Sequence, residues 1–344
     1  MMETRARMEA LAREHLPAIL RLIDDVVGAS TPAGSGLAAM CRYQLQTGGK
    51  RLRAMAPLLV AEALGIAPAR LVPFGAACEV LHNATLVHDD LQDGDETRRG
   101  EPTVWKRFGV PQAINLGDAM FYYALLMLRR LDVPLEVRER AATRLLTDTL
   151  KVIDGQEREF ALRQSARPTL AEYQTMVEGK TSALFALPLA GAADVCGAPP
   201  ALVDGLATAA GHLGVLFQVQ DDLLDLWGEK GRGQRGSDIA EGKRSFLVVH
   251  AFTHAAPGEA DWLRGVLDRP REHTTSAAVV AAAALLVRPG ARDAGLRELR
   301  RRAALAAAVP AVADHAALHA LVRGLATVFC APVGHLDRQL ETAA

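Results

Sequence analysis

Along almost the whole chain apolar residues recur three and four positions apart, interleaved with Ala, Glu and Arg, and alternating β-branched runs bounded by turns are missing. That pattern predicts an all-α protein. A helix from Thr4 to Gly28 should end at the loop Ser30 to Gly36, whose Gly and Pro break helices. Helix is expected to resume at Leu37 and stop at Gly48-Gly49, then to cover Met55 to Leu64 and, in one long element, Pro68 to Asp93. Further helices are expected at Pro111 to Leu131, Leu135 to Ser165, Leu170 to Glu178, Thr181 to Cys196 and Ala201 to Leu226. Four more follow near Gly242 to His254, Ala260 to Leu267, Thr274 to Val287 and Ala291 to Ala307, with a last one around Val312 to Phe329. With no linker longer than a loop and no fixed-period repeat, residues 1–344 read as a single all-α domain, a bundle of about a dozen helices.

Half of the residues are hydrophobic, enough for a sizeable core. The first helix carries charges throughout and lacks the apolar centre of a signal peptide. The longest apolar run, Ala277 to Val287, falls short of the roughly 20 residues a bilayer requires, so no membrane span is expected. A net charge of -1 gives no general pull towards nucleic acid or anionic membrane, and any anion site must be a local cluster. Cys41, Cys78, Cys196 and Cys330 stand far apart without a CxxC pair, which fits a reduced, cytoplasmic chain with packing roles for the thiols. In such a chain the sequon at Asn83-Ala84-Thr85 carries almost no weight.

The chemistry concentrates in Leu86 to Gly100, LVHDDLQDGDETRRG. On a helix Asp89 and Asp93 share one face, with Asp90 beside them. Such carboxylates repel by about 1 kcal/mol per close pair in water, so a cation is expected there. All-oxygen ligands favour Mg²⁺, which commonly holds substrate phosphates at the same time. Far downstream, FQVQDDLLD repeats the spacing with Asp221, Asp222 and Asp225. One such cluster is weak evidence, since most are solvated helix faces. Two, each following an apolar stretch, suggest two lips of a deep pocket that together hold several Mg²⁺ ions and a diphosphate.

Competing motif readings fail on context. Gly231, Gly233 and Gly236 satisfy GxGxxG, but a helix precedes them and no parallel sheet is predicted, which excludes a dinucleotide fold. A Gly/Arg loop beside a phosphate site remains, against an ordinary solvated loop. An EF-hand over Asp89 to Gly100 would need oxygen ligands at Leu91 and Gly100. His82 and His88 lack zinc spacing; His88 reads as a packed or capping residue, whereas His82 could look into the pocket. Lys50, Arg51 and Arg53 follow a double glycine, and Arg98 and Arg99 precede Gly100. Surface charge is the ordinary explanation for such runs, but the acid clusters call for an anionic partner. Lys180 and Thr181 follow Gly179 at an expected helix start, where backbone N–H groups favour phosphate. Two cationic groups beside a metal site suggest two diphosphates, one held by metal and one by Lys and Arg.

The sequence resembles the trans-isoprenyl diphosphate synthases, the polyprenyl synthetase family, through GGKRLR, HDDLQD followed by RRGEPT, GKT, FQVQDDLLD and GSDIAEGKRS, in that order between about residues 40 and 250. The resemblance implies the all-α isoprenoid synthase bundle, usually a homodimer, and a prenyltransferase that joins isopentenyl diphosphate head-to-tail to an allylic diphosphate (dimethylallyl, geranyl or farnesyl). It implies that Asp89, Asp93 and Asp221 ligate Mg²⁺, three ions per active site, with Asp90, Asp222 and Asp225 in support. Arg98, Lys180, Thr181, Gln218 and Lys243 match residues that grip the allylic diphosphate, and Lys50, Arg53, His82 and Arg99 match those that hold isopentenyl diphosphate. Three positions depart from the family pattern. Ala54 replaces a common Pro; Gly233, with Arg232 and Arg235, stands where the loop often carries Gly-Lys; and Ser245-Phe246-Leu247 replaces Thr-Leu-Pro.

Ala84 and Thr85, one turn before Asp89, are small where a bulky aromatic typically limits the product to farnesyl, so geranylgeranyl diphosphate or longer is expected. Leu81, Cys78, Phe121, Tyr122 or Tyr123 would form the next floor. A class I terpene cyclase would carry an Asn/Ser/Glu second motif in place of DDLLD, and a non-catalytic subunit of a heteromeric synthase would lose acids from one cluster.

Overall fold

The computed structural model describes residues 2–228, 235–288 and 290–336. Its helices are α1 (Met2–Ser30), α2 (Leu37–Gln46), α3 (Leu52–Ala63), α4 (Val72–Gln92), α5 (Val104–Phe108), α6 (Val110–Leu128), α7 (Leu135–Gln164) and α8 (Leu170–Val177). The chain continues through α9 (Ala183–Ala186), α10 (Ala192–Val195), α11 (Pro200–Trp227), α12 (Ser237–Ala240), α13 (Phe246–His254), α14 (Pro257–Leu267), α15 (Ser276–Val287), α16 (Ala291–Ala307), α17 (Pro310–Ala313) and α18 (Ala316–Cys330). The fold class is all-α, as the periodicity dictates. The one sheet among the described residues is a hairpin of β1 (Thr97–Arg98) and β2 (Glu101–Pro102), too short to leave an alternating pattern in sequence.

Two compact units make up the chain. The first comprises the described residues of Met1–Thr149, Leu184–Ala210 and Val309–Gly324. Its centre is the packing of α4 on α6 and α3, with α1 alongside. Between Phe74 and Val87 almost every side chain of α4 is buried, small residues and polar Glu79 and Asn83 included, so this helix is buried all round and not amphipathic. Leu11, Ile19 and Ile23 of α1, Met55 and Leu58 of α3, and Leu116 and Met120 of α6 complete the core. Burying a Leu, Ile or Met side chain contributes about 1.5–3 kcal/mol, which holds the end of α4 at a fixed place despite its acids.

The second unit comprises the described residues of Leu150–Ala183, Gly211–Ala308 and Leu325–Ala344. Leu213, Leu216, Val219 and Leu223 of α11 are buried, and Gly295 of α16 lets that helix close on Leu223, 3.2 Å from where a Cβ would stand. Helix α13 packs on α16 and α8.

Several boundaries differ from expectation for local reasons. Helix α13 starts at Phe246 and not at Gly242, because Gly242 takes φ +70° and Ser245 supplies the N-cap oxygen to Val248 N–H. The expected single helix near Val312 to Phe329 is broken into α17 and α18 around Asp314 and His315. Pro200–Trp227 and Ala316–Leu336 are long and apolar enough on average to cross a bilayer, which a search for unbroken apolar runs overlooks. In the first of these, 56% of the most apolar window is buried in the protein, and its C-terminal turns carry Asp221, Asp222 and Asp225.

Candidate active site

In the first unit, α4 ends inside the acidic motif. Asp93 N–H closes the last helical turn on Asp89 O at 2.8 Å, leaving both side chains partly exposed on one face. Asp90 lies about 100° further round the helix and is buried. Carboxylates at a helix C-terminus oppose the dipole, so each needs a positive partner. For Asp90 the hairpin supplies it. Arg98 on β1 donates Nε to both carboxylate oxygens, at 2.7 and 2.9 Å, and adds a contact from Nη2. The loop is fixed by Asp95, whose carbonyl accepts from Thr103 Oγ1 at 2.7 Å and Trp105 Nε1 at 2.8 Å.

The same hairpin reaches back to the double glycine. Arg99 (φ +55°) and Gly100 (φ +86°) form its tip, and the Arg99 guanidinium donates to Gly48 O. Gly49 takes φ +121°, a backbone conformation that favours glycine, and the Arg99 guanidinium lies over it, with Nη1 2.6 Å from where a Cβ would stand. Arg51 donates to Leu45 O and, at 2.7 Å, to buried Glu79. The Arg53 guanidinium lies 4.4 Å from the centre of the Phe185 ring. Burial, partly offset by Glu79 and reinforced by Arg99, lowers the Arg53 pKa to about 10. His82, on α4, is held well below the usual histidine range by burial and then by Arg53, Arg98, Arg99 and Arg51, and its Nδ1 has no hydrogen-bond partner. Lys50 is exposed. A neutral histidine amid this many arginines marks a site whose electrostatics favour an anion.

His88 packs against α6, with Nε2 3.4 Å from Ile114 O and 3.6 Å from Asp118 Oδ1. Ala84 and Thr85 are buried, as are Leu81 and Cys78. Of the aromatics named as a product floor, Tyr122 is 69% exposed, and Tyr123 is tied by its hydroxyl to Thr31 Oγ1 at 2.6 Å. Tyr122 is thereby removed as an inward-facing stop, while Tyr123, the adjacent position about 100° round the helix, is buried.

In the second unit the second acidic motif shows a similar division. Asp221 is partly exposed, whereas Asp222 and Asp225 are buried. Asp222 accepts from Tyr173 Oη at 2.7 Å, Phe246 N at 2.8 Å and Gln218 Nε2 at 3.0 Å. Asp225 accepts from Ser237 Oγ at 2.7 Å and Asp238 N at 3.2 Å. These bonds anchor the segment leading to Lys243, whose Nζ pairs with Glu241 at 2.7 Å. Arg235 and Gly236 are described, while Gly231, Arg232 and Gly233 lie outside the described residues.

Lys180 and Thr181 do not open a helix, contrary to the reading of Gly179 as a break. They sit in a π-helical turn, Glu178–Ser182, inside a helical run from α8 to α10 that contains a second such turn at Leu187–Gly191. The cause is a close crossing with α7: a Cβ on Gly155 would stand 2.1 Å from Lys180 N, and one on Gly179 2.8 Å from Lys151 O. π-Turns of this kind are frequent at functional sites. Lys180 Nζ pairs with Glu159 Oε2 at 2.5 Å, and Glu159 also accepts from Arg163. Thr181 Oγ1 donates to Gln218 Oε1 at 2.9 Å.

The structure therefore gathers Lys50, Arg53, His82, Asp89, Asp90, Asp93, Arg98 and Arg99 in one unit, and Lys180, Thr181, Gln218, Asp221, Asp222, Asp225 and Lys243 in the other. Sequence reasoning missed Tyr173, Glu159 and Phe185. Glu159 had a signal: with Val152, Gln156 and Leu162 it occupies the buried stripe of α7, where an acid is out of phase. Among the described residues no three His, Cys, Asp or Glu side chains converge on a possible metal position. The partly exposed carboxylates of Asp89 and Asp93 in the first unit, and of Asp221 in the second, are hard oxygen donors of the kind Mg²⁺ takes one or two at a time, filling its shell with phosphate oxygens and water.

The polyprenyl synthetase profile matches residues 35–285, spanning every motif above. The chain belongs to the polyprenyl synthetase family. Within this family of trans-isoprenyl diphosphate synthases it is 38% identical over 218 residues to a geranylgeranyl pyrophosphate synthase of Geoglobus acetivorans, covering 63% of this chain and 68% of the relative. It is 34% identical over 245 residues to a (2E,6E)-farnesyl diphosphate synthase of Mycobacterium tuberculosis, covering 70% and 67%. A polyprenyl synthase of Caulobacter crescentus, solved with calcium and isoprenyl diphosphate, superposes with a TM-score of 0.82 at 26% identity, covering 94% of this chain and 98% of that one.

Proposed function

We propose that this synthase condenses isopentenyl diphosphate with an allylic diphosphate in a Mg²⁺-dependent reaction, releasing diphosphate and a trans-polyprenyl diphosphate of geranylgeranyl length or longer. Residues 1–344 act as one catalytic domain. The observation that supports the reading is the group of arginines gathered around His82, namely Arg51, Arg53, Arg98 and Arg99, because a condensing enzyme needs a second diphosphate site and a cyclase does not.

Lys180, Thr181, Gln218, Lys243 and Arg98 orient the allylic diphosphate, and Lys50, Arg53, Arg99 and neutral His82 orient isopentenyl diphosphate. Asp89, Asp93 and Asp221 would hold Mg²⁺, which would supply positive charge to the departing diphosphate. Fixed cations stabilise charge where it develops as the allylic C–O bond breaks. The isopentenyl double bond, held at close approach, attacks the allyl cation, and a proton passes to the released diphosphate. The apolar surroundings exclude water that would quench the cation. Small Ala84 and Thr85 leave room for a chain beyond farnesyl. The protein works in the cytoplasm as a homodimer, for which exposed Val110, Ile114 and Tyr122 on α6 supply apolar surface.

Steady-state kinetics on single variants tests the assignment of sites. Arg53→Ala should raise the KM for isopentenyl diphosphate by tenfold or more, taking about 1.4 kcal/mol per tenfold, with little change for the allylic substrate. Lys180→Ala should do the converse. Equal changes for both substrates in both variants would refute two separate sites.

A further inference from the structure

Asp222 is a buried acid of the second motif. Hydrogen bonds reach it from three elements: Tyr173 on α8, Phe246 N–H at the first turn of α13, and Gln218 one turn earlier on α11. Phe246 N–H is one of the amides a helix start leaves unpaired, so Asp222 caps α13 from another helix, where the dipole also favours a carboxylate. Tyr173 and Asp222 are 2% and 3% exposed, and the Tyr173 ring meets the Phe246 ring edge-on at 5.9 Å.

This arrangement has a consequence for the neighbouring amide. Asp222 Oδ2 takes the bonds from Tyr173 and Phe246, so Oδ1 is presented to Gln218. An ionised carboxylate only accepts, which forces Gln218 to offer Nε2 there and turns its Oε1 to Thr181 Oγ1, at 2.9 Å. The Thr181 proton is thereby committed to Gln218. We infer that Tyr173 is a positioning residue for the reaction: by clamping Asp222 it sets the orientation of the Gln218 carboxamide and of the Thr181 hydroxyl beside Lys180. The inference rests on the proposed allylic role of Thr181, Gln218 and Lys180.

Tyr173→Phe removes one donor and keeps the ring. Calorimetric titration with a non-ionisable thiolo-analogue of the allylic diphosphate plus Mg²⁺ should show binding weakened about tenfold, with the KM for isopentenyl diphosphate changed less than about twofold. Asp222→Asn, which still accepts from Tyr173 and Phe246 but turns an N–H₂ towards Gln218, should give the same selective loss. Because both variants disturb one amide, the double variant should lose less than the product of the two single effects. Should Tyr173→Phe fail to fold, Asp222→Asn decides the matter alone. Unchanged analogue binding, or parallel losses for both substrates, would overturn the assignment while leaving the functional reading intact. A wild-type protein that binds neither the analogue nor isopentenyl diphosphate overturns both.

Discussion

Asp90 and Arg98 form a buried bidentate pair, and their value to the fold lies in what happens when one is removed. Arg98→Met leaves a buried carboxylate without its main counter-charge, and chemical denaturation should show a loss of about 3–5 kcal/mol. His82 carries a different signature. Below about pH 6.5 the unfolded chain protonates this histidine while the folded chain does not, so the unfolded state binds more protons and stability falls with falling pH. The ligand-free protein should therefore lose up to about 1.4 kcal/mol per pH unit between pH 6.5 and 5.5 that the His82→Gln variant does not lose. An identical pH profile for both would contradict the burial and cationic surroundings of His82 described here. At this scale the sequence was partly legible: the acids and arginines announce themselves, and helix geometry separates Asp90 from Asp89. Which arginine serves which acid was not readable, because Arg51 and Arg98 find Glu79 and Asp90 only through tertiary packing.

The helices were legible because their periodicity is the physical cause of their burial. The π-turn around Lys180 was not, because Gly179 looks like a helix breaker when its real task is to let α7 approach. The crossing of Gly155 against Lys180 N has no room for a methyl group, so Gly155→Ala should displace the turn. Circular dichroism should stay helical while the KM for the allylic diphosphate rises at least tenfold; retention of the wild-type value would show that the turn is not tied to the site. The hairpin Thr97–Pro102 escaped notice because strands of two residues carry no period, although Arg99-Gly100 in positive-φ geometry is what aims Arg98 and Arg99.

For the whole molecule, half the residues being hydrophobic and the near-neutral charge pointed to a well-packed helical protein, but not to its two compact units. Nothing local in sequence marks their boundaries, four of which fall inside α7, α9, α11 and α18 and one between α16 and α17. Light scattering after gel filtration should give a dimer, and Ile114→Glu with Tyr122→Glu should give a monomer; a monomeric wild type would contradict the assembly proposed. Ala84→Phe, at a fully buried position, should shorten the product if it folds, at a stability cost of about 1–3 kcal/mol. The most direct measurement is to incubate the purified protein with Mg²⁺, labelled isopentenyl diphosphate and dimethylallyl, geranyl or farnesyl diphosphate in turn, and to size the labelled products. Labelled geranylgeranyl diphosphate or a longer homologue, abolished by chelating the metal, is the result expected. Failure to incorporate label from any primer, or an allylic substrate consumed without isopentenyl diphosphate, would contradict it.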